Sequence, residues 1–307
     1  HKEDEILLEE MGDRNKKFIR EQEMIFDKEF KSFFDTIWAK YKSIIPKERK
    51  YEKYNEDLPK VSIITVTYNR KHFFDLSLRN YKKSDYPRDK LEWIIIDDSD
   101  EGEGFEGLLP EDNNIKYFKL NEKISIGEKR NIAVEKCSNN IIVVMDDDDY
   151  YPPCSIKYRV ACLEHLEKDV VASCSTGVLE INKIISNLSV SSFIDDYYRR
   201  IFESTLCFRK NFAVNNKFDK TNINEGIPLI KDNLSSFEEI SYNHVIVSLY
   251  HYNNTNNRII IKGETNGSHF NFSDELFELI TSIDNKDDDS NDNKKLDLNK
   301  VIPKKKK

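Results

Sequence analysis

Ile141-Ile142-Val143-Val144-Met145 runs directly into Asp146-Asp147-Asp148-Asp149, and this junction decides how the rest of the chain is read. The five apolar residues are mostly β-branched and do not alternate with polar ones, the pattern of a strand covered on both faces of a parallel sheet. Carboxylates crowded four in a row repel one another unless a cation or a hydrogen-bond network offsets them. Oxygen donors of this kind suit Mg²⁺ or Mn²⁺. In open α/β sheets ligands collect beyond the carboxyl ends of the strands, so the tetrad marks a candidate site and not merely a turn. The plainer alternative is a solvated acidic turn ahead of the helix that follows Pro152 and Pro153.

Working outward, the runs 61–67, 91–97 and 115–120 read as further strands, and 71–84 and 126–137 as helices. Ser125 and Glu128 have the spacing of a capping box, which fixes the start of the second helix. Strands alternating with helices give βαβ units and a parallel sheet. Two more strand ends are chemically loaded, one with Thr67, Tyr68, Asn69 and Arg70, the other with Asp97, Asp98, Ser99 and Asp100. Beyond residue 154 the pattern is mixed, with strands expected at 170–174, 204–209 and 244–251 and helices near 155–168, 225–233 and 273–280. The stretches 175–203 and 233–243 read as loops shaping an acceptor pocket.

The flanks differ in composition. Residues 1–58, rich in Glu and Lys, space their apolar side chains as a helical extension; the Phe and Trp stripe within 18–45 exceeds what a solvated helix should expose and suits a homodimer surface. Residues 283–307 are mostly Lys, Asp, Asn and Ser, a tail too polar to order itself. A domain over 59–282 lies between them. Across all 307 residues, 48 basic and 56 acidic side chains leave a net charge of -8, against a general nucleic-acid binder. The five-residue run 141–145 is the longest apolar stretch, far short of the roughly 20 that span a bilayer. Five cysteines without a Cys-x-x-Cys pair, and an N-terminus without a signal-peptide layout, lead to the expectation of a reducing, cytoplasmic setting, although a chain opening on His1 leaves room for a trimmed segment. The Gly-x-Gly-x-x-Gly run at 102–107 does not join a strand directly to a helix, and no P-loop, nucleophile elbow or His-Glu-x-x-His is present, so dinucleotide, P-loop, hydrolase and zincin readings lose local support.

Four segments together resemble the inverting nucleotide-sugar glycosyltransferases of family 2, over about residues 60–235. Val-Ser-Ile-Ile-Thr-Val-Thr-Tyr-Asn-Arg (61–70) is similar to their opening strand and Ile-Ile-Ile-Asp-Asp-Ser-Asp (94–100) to their second motif. Ile-Gly-Glu-Lys-Arg-Asn (126–131) is similar to their Gly-x-x-x-Arg-Asn helix start, one residue shorter, and the tetrad to their Asp-x-Asp motif. The resemblance implies a GT-A fold, Rossmann-like, with a mostly parallel central sheet flanked by helices. It implies a UDP-sugar donor, UDP-glucose foremost, an unknown glycan or protein acceptor, and a Mn²⁺ or Mg²⁺ cofactor. By the same resemblance Tyr68 stacks beside the base with Thr67 in backbone contact, and Asn69 and Arg70 line the donor site. Asp97 accepts a hydrogen bond from the base, Asp98 stands near the ribose, and Arg130 reaches the nucleotide. Asp146 lies near the ribose or the metal, Asp148 on the metal, and Asp147 and Asp149 support them, with the register open by one residue. Val66 and Ser99 depart from the commoner Pro and Gly.

Inversion needs a base to take the acceptor's proton. In the family it sits in a Glu-Asp pair after a Phe-Asp element; here Phe218-Asp219 is followed by Glu225 and then Gly226, so the Asp is missing. Glu225 is the expected base, with Asp232 in reserve. His251 is a candidate third metal ligand, and His269 a weaker one. Asn-x-Ser/Thr triplets at Asn187 and Asn271 are of the kind an Asn-rich chain produces by chance. Two rival readings stay open: a nucleotidyltransferase, which normally has a Gly-rich basic loop after the first strand where Val66-Thr67-Tyr68-Asn69 stands here, and a non-catalytic sugar-nucleotide or glycan-binding module on the same scaffold.

Overall fold

The computed structural model describes residues 58–190, 198, 201–251, 260–261, 270 and 272–284. Two compact units divide the chain, His1–Leu58 and Pro59–Lys307, and the fold below is that of the second. The expected helical extension before Leu58, its dimer stripe, His269, Asn271 and the polar tail beyond Asp284 lie outside the described residues; Ile283 and Asp284, expected in that tail, instead end a helix.

The central sheet has seven strands in the order β3-β2-β1-β4-β8-β5-β9. Its parallel half is built from β1 (Val61–Thr67), β2 (Leu91–Asp97), β3 (Ile115–Lys119) and β4 (Ile141–Val144). The crossovers are α1 (Phe74–Lys83) between β1 and β2, and α2 (Ile126–Lys136) between β3 and β4. All seven residues of β2 are buried, as are all four of β4, which is why these runs carry no polar alternation. β1 sits between β2 and β4; the chain winds outward to β3 and returns to β4, so the strand order reverses beside β1. That reversal opens a crevice at the carboxyl ends of β1 and β4, the place where α/β sheets take ligands.

After α3 (Ser155–His165) the chain adds β5 (Val170–Ala172) and, beyond a hairpin, β8 (Cys207–Arg209), which runs antiparallel to both β4 and β5. The short helix α4 (Lys210–Asn215) and β9 (Phe237–Glu239) follow, β9 parallel to β5. The hairpin is β6 (Ser175–Glu180) with β7 (Ile185–Val190), and it belongs to a second sheet ordered β10-β6-β7-β11, with β10 at Val247–Tyr250 and β11 at Ile260–Ile261. The stretch 175–190 is therefore a two-stranded hairpin and not the expected loop. Its Asn187 is buried and donates to Glu180 Oε1, which removes it as a surface glycosylation triplet. The helix expected over 225–233 is also absent. Pro228 stands in a single 3-10 turn, Ile227–Leu229, entered from Asn224 in the left-handed region at φ 56°, a backbone that breaks α-helical hydrogen bonding. α5 (Asp274–Asp284) closes the described chain and packs Leu276, Ile280 and Ile283 against Leu179, Leu249 and Phe73. Among the described residues no helix is long and apolar enough to cross a membrane.

Candidate functional site

The start of α2 organises one wall of the crevice. Ser125 caps it, accepting from the Glu128 N–H while the Glu128 carboxylate accepts from the Ser125 N–H, so two orphan donors are satisfied. A Cβ at Gly127 would stand 1.7 Å from the Asp219 backbone oxygen; only glycine lets the 219–225 loop lie this close, and its N–H donates to Thr221 O. Asn131 exchanges two hydrogen bonds with the Phe218 backbone, fixing the other end of that loop. Lys129, buried, donates to Asp98 Oδ1 at 2.6 Å and to Thr67 O at 2.9 Å, tying the ends of β1 and β2 to the helix. Burial lowers its ammonium's pKa, with Asp98 opposing. Arg130 donates through Nη1 to Glu225 Oε1 and through Nη2 to Asp146 Oδ1 at 2.9 Å. Burial disfavours its charge, but Glu225 and Asp146 outweigh that and raise its pKa.

At the end of β2, Asp97 is fully buried. Its oxygens accept from the N–H groups of Ser99 and Phe105 and from the Tyr117 hydroxyl. Burial pushes the carboxyl up, yet those hydrogen bonds win and hold it below its ordinary value. Asp98 accepts from the Ile124 N–H as well as from Lys129. Both carboxylates thus shape the loops that floor the crevice. Asn69 sits in the left-handed region at φ 53°, where its amide and Asp100 exchange hydrogen bonds and its N–H donates to Ser99 Oγ, locking the β1 and β2 turns together. Over the Tyr68 ring, the expected platform for a base, lies the Lys123 ammonium, 3.6 Å from the centroid.

The four aspartates separate by partner. Asp146 faces Arg130, while its N–H donates to the Tyr151 hydroxyl. Asp149 accepts from Ser248 Oγ and the Leu249 N–H, tying the loop to the second sheet. Arg70 Nη1 bridges Asp147 Oδ1 at 2.8 Å and Asp148 Oδ2 at 2.5 Å. Burial raises the Asp147 carboxyl, with Arg70 opposing, and its Oδ2 is buried without a hydrogen-bond partner. His251 Nε2 lies 3.3 Å from Asp148 Oδ2. Among the described residues no three His, Cys, Asp or Glu side chains gather around one point. The Asp148 and His251 pair therefore fits a divalent ion that takes most of its ligands from a diphosphate and water, on condition that the Arg70 guanidinium gives way.

Thr67, Asn69, Arg70, Asp97, Asp98, Arg130, Asp146, Asp147, Asp148 and His251 are thus linked through one crevice edge, and Glu225 joins them through Arg130. Asp232 is exposed on the turn beyond Ile227–Leu229. Sequence reasoning missed Lys129, although it neighbours Arg130 in the first turn of the helix. It also missed Glu203, which opens the 3-10 turn Glu203–Thr205 just ahead of β8 and lies close enough to Arg130 and Glu225 to feel both charges. Only the antiparallel pairing of β8 brings it here.

A model of the family described as Glycosyl transferase family 2 matches residues 62–216, just over half of the chain. No curated protein matches. Among solved structures, S. aureus TarS in complex with UDP-GlcNAc is similar at 18% identity, over 64% of this chain and 60% of that one, with a TM-score of 0.47. Mannosyltransferase PcManGT from Pyrobaculum calidifontis, in complex with GDP-Man and Mn²⁺, is similar at 20% identity over 62% of this chain and 56% of that one, with a TM-score of 0.49. The chain thus spans about three fifths of the length of these structures.

Proposed function

Because this chain belongs to glycosyl transferase family 2, we propose that it moves a sugar, with inversion, from a nucleotide-diphosphate donor to an acceptor hydroxyl. The observation that carries this reading is the junction of the three loaded strand ends with the first turn of α2: Arg130 on Asp146, Lys129 on Asp98, and Asp148 beside His251. Asp148 and His251 would hold Mn²⁺ or Mg²⁺, which when bound supplies Lewis-acid neutralisation of the departing diphosphate. Tyr68 offers its ring to the base once Lys123 moves aside, and the donor we propose is a UDP-sugar, UDP-glucose first. Arg70, displaced from Asp148, is placed to turn its charge to the diphosphate.

The test is release of UDP from a panel of UDP-sugars with Mn²⁺ or with chelator, water serving as acceptor. Release from one sugar that stops with chelator is the expected result. A second reading, a binding module that holds the nucleotide sugar without turning it over, draws on Gly226, which leaves the Glu225 position without an acidic neighbour, and on the commitment of Glu225 to Arg130. Calorimetric binding of UDP with no turnover of any donor would favour it.

A further inference from the structure

The expected base, Glu225, is only 4% exposed and its carboxylate is paired with the buried Arg130 guanidinium. A carboxylate held this way is a poor proton acceptor, because protonation breaks a buried ion pair and leaves Arg130 with Asp146 as its one remaining ion-pair partner among the described residues. Another carboxylate stands at the same edge. β8 runs antiparallel to β4, so the chain entering β8 lies beside the end of β4: Val144 N–H donates to Leu206 O at 3.0 Å. One Tyr151 hydroxyl joins the two loops, donating to Ser204 O at 3.1 Å and accepting from the Asp146 N–H at 2.9 Å. Glu203 immediately precedes that serine. A Cβ at residue 226 would meet Glu203 Cγ at 3.0 Å, so the Glu203 side chain fills the room that Gly226 leaves empty. Unlike Glu225, Glu203 is partly exposed, and among the described residues its carboxylate takes no ion pair or hydrogen bond from another residue.

We propose that Glu203 is the general base of the transfer, an assignment that rests on the transferase reading. Its carboxylate takes the proton of the acceptor hydroxyl while that oxygen bonds to the anomeric carbon. The bond from that carbon to the diphosphate oxygen breaks, and its electron pair leaves with the nucleoside diphosphate. Glu225 is then a positioning residue, holding Arg130 against Asp146. The charged groups that face Glu203 are Glu225, Arg130 and Asp146. Burial, then the negative charge of Glu225, raises the Glu203 carboxyl to about 7, with Arg130 opposing. A base of that strength suits proton transfer near neutral pH.

The experiment measures UDP release from the UDP-sugar panel in Mn²⁺ for wild type, Glu203→Gln, Glu203→Asp and Glu225→Gln, with UDP affinity by calorimetry and the pH dependence of the rate. Glu203→Gln is expected to lower the rate at saturating donor by about 10²–10⁴-fold, to leave UDP affinity within about twofold, and to lose the acid limb centred near pH 7. Glu203→Asp keeps a carboxylate and should keep that limb at a reduced rate. Glu225→Gln should weaken UDP binding more than it slows turnover. A Glu203→Gln protein that binds UDP and turns over within about threefold of wild type, or a Glu203→Asp profile without the acid limb, overturns the assignment. Wild type that binds no UDP and releases none from any donor overturns the transferase reading, and this assignment with it.

Discussion

Arg130 and Arg70 do different work on neighbouring aspartates. Arg130 uses its planar fork to hold Glu225 and Asp146 at once, a geometry a lysine cannot copy with one ammonium. Arg130→Lys should therefore leave one buried carboxylate unpaired and lower unfolding free energy by about 3 kcal/mol, read by urea denaturation; a change under about 0.5 kcal/mol would mean that the pair is not intact in solution. Arg70 occupies the side of Asp148 that a divalent ion would use. Replacing it with methionine removes a competing cation, so Arg70→Met should bind Mn²⁺ about tenfold more tightly in calorimetry without donor, and Asp148→Asn should bind it less tightly than wild type. Weaker Mn²⁺ binding by Arg70→Met would show that the two cations do not share the place.

At the scale of elements, the six residues 126–131 act as a clamp in which each position has its own partner: Asn222 for Ile126, Thr221 for Gly127, Ser125 for Glu128, Asp98 for Lys129, Asp146 for Arg130 and Phe218 for Asn131. Gly127→Ala should push the 219–225 loop off the helix, costing about 1–3 kcal/mol of stability and, through Glu225, weakening UDP binding. Stability and binding both equal to wild type would show that the loop adapts freely. The clamp was legible as a sequence pattern because a capping box, a glycine and charged residues recur at fixed helical offsets. The hairpin β6–β7 was not legible, since both strands pack into a second sheet and mix Ser, Thr, Gly and Asn with apolar residues, which blurs the alternation a half-buried strand would show. The helix expected over 225–233 is instead a single 3-10 turn, Ile227–Leu229, from which Leu229 and the following Ile230 reach the core.

For the molecule as a whole, acid should be the vulnerable side at the closed ends of the sheet. Asp97 and Glu92 are both held below their ordinary values by hydrogen bonds that outweigh burial. Groups shifted down contribute stability in full above the unfolded carboxylate range and lose it as the pH falls through their folded values. Tm should consequently fall on acidification below about pH 4, and Asp97→Asn should make that fall shallower; an equal acid slope in the variant would remove Asp97 from the account. Glu203 and Asp147, held above their ordinary values, work in the opposite sense as the pH rises. None of the five cysteines is in a disulfide, and burial pushes the thiols of Cys137, Cys162 and Cys207 up to about 12. Native protein at pH 8 should therefore react with a thiol reagent at these positions only on unfolding.

The sequence by itself determined the parallel half of the sheet and the crevice at its carboxyl edge, because buried strands, their loaded ends and the α2 cap are local patterns readable from neighbours a few residues apart. It also offered Arg130 and Asp148, through the resemblance its motifs carry, and His251 as candidates for one site. Tertiary structure alone decided how those members pair. That Arg70 stands on Asp148, that Glu225 is spent on Arg130, and that Glu203 fills the space beside Gly226 are contacts between residues far apart in the chain, set by the antiparallel entry of β8 and by the loop clamped on α2. Local patterning carries no record of such distances, so a carboxylate with no motif around it becomes visible only when the sheet has been assembled.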